Sequence, residues 1–334
     1  MSMRGSKYRI LMLYRLLEEY TDETNPLTAA ELLNLLSEHG VESERKTIYS
    51  DIKVLKEAGC DIVCIRGALD SGYFMATRKF EIPEVILLID AVTSAGFITP
   101  KKTKSLVEKL KSLVSHGQAD SLISRVYVDS SAAKCSNEEI YITIDRLHEA
   151  IMQEKMVKFV YRRRNIDFQN KKRYTEKTFS VSPYALIWKD DHYYLVCNNQ
   201  KYDNLMNLRI DRIKKLEVLE KKARPVNEVS SYEGKLDTQD YSSHMFNMFS
   251  GEKCMVKLRC SLKLQEEMFD RFGSSVSMLT CGDLDHFETT VEATMSDGFV
   301  SWLMQYGADI KVLEPLSLAE KVKEKALKIA EIYN

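Results

Sequence analysis

Arg45, Lys46, Tyr49, Ser50 and Lys53 share one face of the stretch Ser43–Gly59. The other face carries Ile48, Ile52 and Leu55, the i, i+4, i+7 recurrence of a helix packed on a core. Cations, a hydroxyl and a phenol presented together can meet phosphates and base edges in a major groove. A solvated surface helix carries the same residue types, so periodicity alone leaves both readings open. A second constellation lies downstream: Tyr161, Arg163, His192, Tyr194, Arg209 and Arg212. Guanidinium forks grip phosphate through two oxygens at once. Aromatics beside them stack on bases, worth about 1–3 kcal/mol per base in single-strand binders. Strand geometry limits this set. One of Tyr193 and Tyr194 must face a core, because neighbours in a strand point opposite ways. Arg209 and Arg212 are three apart and line one pocket only if the chain bends between them. His192 reads as a rim residue rather than a catalyst.

The elements that must position the first set are legible nearby. Thr28-Ala-Ala-Glu31 spells a capping box, with Leu27 and Leu32 placed as a hydrophobic staple. Ala29, Leu32, Leu33 and Leu36 give that helix its apolar stripe, and His39–Glu42 is a short turn into a second helix, Glu44–Ala58, ended by Gly59. Thr28 and Thr47, near the helix starts, suit phosphate. An earlier helix from Lys7 to Glu19 carries Ile10, Leu13, Tyr14 and Leu17 at helical spacing. Ile62–Arg66, a glycine-bounded turn 67–72 and Tyr73–Met75 predict a hairpin with Arg66 at its rim. Together these predict a winged helix-turn-helix with Glu44–Ala58 in the major groove.

The sequence Arg45-Lys-Thr-Ile-Tyr-Ser-Asp-Ile52, followed by the Gly72-Tyr-Phe hairpin, resembles the N-terminal winged helix of the bacterial WYL-domain transcription regulators. Ser50 stands where that family often has an arginine, so a phosphate contact common in the family is weaker or absent here.

Composition bounds the rest. The 334 residues allow two or three domains, and 44% hydrophobic with 29% charged suits a soluble protein with buried cores. Net charge is −1, and residues 1–80 hold 11 Lys/Arg against 12 Asp/Glu, so any DNA binding must come from local arrangement of charge. Residues 146–224 differ, with 19 Lys/Arg and 10 Asp/Glu, a balance of +9, whereas 254–334 stand at −4 with 9 against 13. A basic centre suggests an anionic partner there. Seven scattered cysteines, without a Cys-x-x-Cys or zinc spacing, read as reduced thiols of a cytoplasmic protein. No signal peptide and no apolar run of membrane length is expected.

The chain divides into a winged helix (1–78), a helical connector (79–137), a central domain (138–224), a polar linker (225–252) and a C-terminal α+β module (253–334). In the connector, a helix opens at Pro83, and a break at Gly96–Pro100 precedes one carrying Leu106, Leu110 and Leu113. It serves as a spacer or contributes to a dimer. After Lys155 the period switches to two, and strands at 157–161, 177–186, 192–197 and 207–219 suggest a small antiparallel barrel. This domain resembles the WYL domain through Val157–Tyr161, Val181-Ser-Pro-Tyr184, His192-Tyr-Tyr-Leu-Val196 and Leu208-Arg-Ile-Asp-Arg-Ile213. Tyr193 replaces the tryptophan of the name-giving triplet. The resemblance implies an Sm/SH3-like barrel that binds a regulatory ligand, often a nucleic acid or nucleotide, with Ser182 among its contacts. Phe299–Gly307 through Val312–Pro315 looks like the extension that follows a WYL domain. The overall expectation is a multidomain α+β protein.

No P-loop, dinucleotide-binding glycine pattern or His-Glu-x-x-His motif occurs, and nothing ties Ser, Cys and His into a triad. Neither catalytic residues, nor a metal, nor a cofactor is therefore expected. Two functions stand. One is a homodimeric, operator-binding regulator whose WYL domain senses a nucleotide or short single-stranded nucleic acid and signals through the helices from Pro83 to His116. The other is an accessory protein that works mainly by single-strand binding. Phe299, Trp302 and Leu303 are expected to supply apolar dimer surface.

Overall fold

The computed structural model describes residues 5–67, 72–123, 134–167 and 172–333. The tip of the expected hairpin (68–71), part of the expected boundary (130–133) and the tip of the loop after Arg164 (168–171) lie outside the described residues. The fold is mixed α/β and multidomain, and the chain divides between Ser136 and Asn137.

In the first unit, α1 (Ser6–Tyr20), α2 (Ala29–Glu38) and α3 (Arg45–Glu57) enclose a core of Leu13, Leu16, Leu17, Leu32, Leu36, Ile48 and Ile52. The capping box is formed: the Thr28 N–H donates to Glu31 at 2.7 Å and the Glu31 N–H returns to Thr28 Oγ1 at 3.3 Å. Such a cap is worth about 1 kcal/mol. Strands β1 (Ile62–Ile65) and β2 (Gly72–Met75) pair antiparallel. Leu27 bridges to Tyr73 through two backbone hydrogen bonds of 2.7 and 3.0 Å, which ties the start of α2 to β2. The approach demands glycine next door: a Cβ on Gly72 would lie 2.6 Å from the Leu27 carbonyl carbon. Helices α4 (Ile82–Ser94), α5 (Pro100–Lys111) and α6 (His116–Ile123) follow, with Val85, Ile89, Val114 and Leu122 as their shared core.

The second unit opens with α7 (Ile140–Met152). A five-stranded antiparallel sheet follows, of β3 (Lys155–Asp167), β4 (Lys172–Lys189), β5 (His192–Asn198), β6 (Met206–Arg209) and β7 (Ile213–Lys222). Its order is β6-β5-β4-β3-β7. The expected barrel is not closed: among the described residues no ladder joins β6 to β7. The expected strand 207–219 is broken by a 3-10 turn at Ile210–Arg212. The second sheet, β11-β8-β10-β9, comprises β8 (Glu252–Ser261), β9 (Leu279–Thr280), β10 (His286–Met295) and β11 (Ile310–Glu314). Helices α9 (Gln265–Phe272), α10 (Asp297–Gln305) and α11 (Leu316–Tyr333) belong with it.

Two expectations are corrected here. The stretch 225–252, expected as a polar linker, is packed: it holds α8 (Thr238–Ser243), and Val229, Tyr241, Met245 and Met248 are buried against Ala185, Ile187 and Val196 of the five-stranded sheet. Phe246 enters the other core, where Arg271 lies 3.9 Å from its ring centre. Phe299 and Leu303, expected at a dimer surface, are 0% and 1% exposed. They close the core beneath the four-stranded sheet, with Phe299 and Trp302 stacked on each other beside Phe246.

Candidate nucleic-acid and ligand sites

Helix α3 turns Ile48, Ile52 and Leu55 inward, which leaves Arg45, Lys46, Tyr49, Ser50 and Lys53 exposed and Thr47 half-buried. A groove of about 520 Å³ runs between α3, the start of α2 and the β1–β2 hairpin. Four expected residues line it: Thr28, Arg45, Tyr49 and Arg66. Arg45 Nε donates to the Tyr49 hydroxyl at 2.7 Å, and the Tyr49 ring lies 6.3 Å from that of Tyr73. The groove thus has an aromatic floor with guanidinium groups on two sides. Lys46 and Ser50 lie outside this lining, and Lys53 stands 3.8 Å from Glu57. Thr28 sits in the groove, but its hydroxyl donates to Glu31 at 2.7 Å, so the cap already uses the proton that a phosphate would need.

The 3-10 turn at Ile210–Arg212 supplies the bend that the Arg209–Arg212 spacing requires. Arg209 lies opposite Tyr194 in the β5–β6 ladder, and its backbone N–H donates to the Tyr161 hydroxyl at 3.2 Å. Burial pushes the Tyr194 hydroxyl above its ordinary pKa, while the charges of Arg209 and Arg212 pull it back. Arg163 extends the group, its guanidinium 5.6 Å from the Tyr161 ring centre, and the His192 ring lies 6.2 Å from that of Tyr194. The fold therefore links Tyr161, Arg163, His192, Tyr194 and Arg209, with Arg212 at the end of the adjoining 3-10 turn. Ser182 is not brought there. It is completely buried, pairs with Asn198 along β4, and accepts the Arg224 N–H at 2.9 Å.

Sequence reasoning missed Asp211. It receives two hydrogen bonds from Arg209, at 3.0 and 2.8 Å, in a forked pair. Burial works against the Arg209 charge, but Asp211 holds its pKa above the ordinary value. The i, i+2 spacing in Arg209-Ile-Asp211 was the available signal, and it becomes readable once the chain is known to turn there. Arg163 and Arg212 make no ion pair among the described residues, so they present the open positive charge.

Residues 143–218 match the WYL domain family and residues 255–330 the WCX domain family. Over 321 residues the chain is 24% identical to a Bacillus subtilis (strain 168) protein described as an uncharacterized HTH-type transcriptional regulator, YobV, covering 91% of this chain and 93% of that one. Two solved structures align more distantly. Proteasome accessory factor B/C (PafBC) of Arthrobacter aurescens is 16% identical with a TM-score of 0.27, over 96% of this chain and 48% of that chain. The chain thus spans about half the length of that protein. A structure described as a CRISPR Cas-related protein is 16% identical with a TM-score of 0.36, over 100% and 87%.

Proposed function

The chain belongs to the WYL-domain transcriptional regulators, and from that premise we propose that it binds operator DNA under the control of an anionic ligand held by residues 138–224. The observation that carries the reading is the convergence of Tyr161, Tyr194 and Arg209 beside the 3-10 turn that holds Arg212, extended by Arg163. Open guanidinium groups suit a phosphate, and the adjoining rings suit a base. A nucleotide or a short single-stranded nucleic acid combines both chemistries.

Residues 1–78 then act as a winged helix-turn-helix. Helix α3 enters the major groove with Arg45, Lys46, Tyr49, Ser50 and Lys53, and Arg66 reaches the backbone from the hairpin. Support comes from the groove between α3 and the hairpin. The protein works as a homodimer on paired half-sites, and the exposed Leu327, Ile329 and Ile332 of α11 offer apolar surface for that. Among the described residues no helix is long and apolar enough to cross a membrane.

The test is fluorescence titration of a labelled deoxythymidine oligonucleotide with wild type and with Arg163→Ala/Arg212→Ala. Wild type binds saturably, and the variant loses about tenfold or more in affinity, since each charge-assisted contact is worth about 1.5–3 kcal/mol. Equal binding by both proteins, or none by wild type, rejects the site.

A further inference from the structure

Asn137 is 4% exposed, yet three of the residues it holds lie more than 70 positions away in sequence. Its Nδ2 donates to two backbone carbonyls, those of Asp211 and Ile213, each at 3.3 Å. Its Oδ1 accepts from Lys214 Nζ and, at 3.3 Å, from the Glu139 N–H. Three of these partners, Asp211, Ile213 and Lys214, flank Arg212. The primary amide therefore grips the back of the turn whose front carries Arg209 and Arg212. Only a side chain with two N–H donors and an acceptor at this length can make all these bonds. An aspartate here would set a carboxylate against two carbonyl oxygens, and an alanine would release the turn. The next residues are irregular as well: Lys215 has a φ of 52°, and the β3–β7 ladder shifts register between Lys158 and Val160. Local backbone preference therefore does not hold this turn by itself.

The position of Asn137 in the chain gives the contact its second meaning. It is the first residue of the second unit. Just before it, within the first unit, Lys134 Nζ donates to the Ala95 carbonyl at 3.3 Å and to Thr103 Oγ1 at 3.1 Å. The Cys135 N–H donates to the Gly96 carbonyl at 2.8 Å. Lys134 and Cys135 thus fasten the chain to the α4–α5 hairpin, and Asn137 fastens it to the arginine turn. Ser136 is the single residue between the two anchorages.

We propose that Asn137 is the coupling residue of this regulator: it positions the Arg209–Arg212 turn and passes a displacement of that turn to the chain leaving the DNA-binding half. The inference rests on the ligand reading above. A ligand that draws Arg209 or Arg212 forward moves the carbonyls of Asp211 and Ile213. Through the amide, that motion reaches Ser136 and the Lys134–Cys135 anchorage on α4 and α5. An element that two sites both bias is what a coupling free energy requires.

The experiment uses the full chain, a duplex obtained by in vitro selection for binding to it, and a fluorescent deoxythymidine oligonucleotide. Duplex affinity is measured with and without saturating oligonucleotide for wild type, for Asn137→Ala, and for a variant with two glycines inserted after Ser136. In wild type the oligonucleotide shifts duplex affinity about fivefold or more, the usual lower range of allosteric coupling. In Asn137→Ala the oligonucleotide binds more weakly because the turn is released, duplex affinity without it is unchanged, and even at saturating oligonucleotide the shift collapses to unity. The glycine insertion keeps every Asn137 contact and abolishes the shift in the same way, which covers the case of an alanine variant that does not fold. A full wild-type shift in Asn137→Ala or in the insertion variant overturns the coupling role and leaves the ligand site intact. Absence of saturable oligonucleotide binding by wild type overturns the ligand reading itself, and the inference with it.

Discussion

Arg9 of α1 grips Asp51 of α3 with two hydrogen bonds, Nε to Oδ2 at 2.6 Å and Nη2 to Oδ1 at 3.2 Å, and Asp51 is only 4% exposed. The aspartate of the Arg45–Ile52 stretch therefore faces the core and sets the angle of the helix rather than touching a partner. Arg9 is only part-buried, so water can reach the charge left behind, and losing these charge-assisted bonds in Asp51→Ala should cost about 2 kcal/mol in denaturant unfolding. The exposed face of α3 is unaltered by the pair. An unchanged unfolding midpoint in Asp51→Ala would contradict the assignment.

Arg45 and Lys46 should act on DNA through charge. Replacing both by alanine should lower duplex affinity and reduce the slope of log affinity against log salt by about 1.8, at about 0.9 per lost phosphate contact. Lys53 is partnered at 3.8 Å by Glu57 and should contribute less. Affinity measured over a salt series decides this. An unchanged slope in the double variant removes α3 from the interface.

Asp22 provides a pH test within the first unit. Burial alone would raise its pKa, but hydrogen bonds from Ser115, Thr24 and Asn25 outweigh it and hold the carboxyl below the ordinary value. A carboxyl with a depressed folded pKa stabilises the protein above its unfolded pKa, about 3.9, and that stability is lost as pH falls through the folded value. Wild type should therefore lose its advantage over Asp22→Asn on acidification below about pH 4. A stability difference that stays constant from neutral pH into that range would contradict the prediction.

Lys189 gives the same slope from the other side, because its buried charge destabilises the fold at neutral pH. Burial first, and then the neighbouring Arg271, lower its pKa to about 8. The unfolded chain then binds more protons than the folded one between about pH 8 and the unfolded value near 10.4, so stability rises with pH across that window. Relative to Lys189→Met, wild type should gain melting temperature from neutral pH to about pH 9.5. Parallel melting curves for the two proteins would show that Lys189 is not desolvated as its place beside α8 implies.

Much of the fold was legible because its patterns are local. The Thr28–Glu31 box, the Ile48–Ile52–Leu55 stripe and the two-residue period from Val157 each need only neighbours in sequence. The helix expected at Lys7–Glu19 runs Ser6–Tyr20. What escaped depends on contacts made at a distance. Val229, Tyr241, Met245 and Met248 are scattered through polar sequence without a period, so their burial on the five-stranded sheet left no local mark. The apolar residues of α10 looked like spare surface only because Phe246, which closes the core beside them, lies in the stretch read as a linker. In the proposed ligand group, the residue types were readable. The pairing of Arg209 with Asp211 and the clamp by Asn137 were not, since both depend on a 3-10 turn that a period-two pattern cannot announce.

The measurement that bears most directly on the central claim is oligonucleotide affinity with and without saturating selected duplex. If the arginine turn and the α3 groove bias one equilibrium, the duplex must change the oligonucleotide Kd by the same factor, about fivefold or more, as the oligonucleotide changes the duplex Kd. Identical oligonucleotide affinities in the presence and absence of duplex would contradict the account.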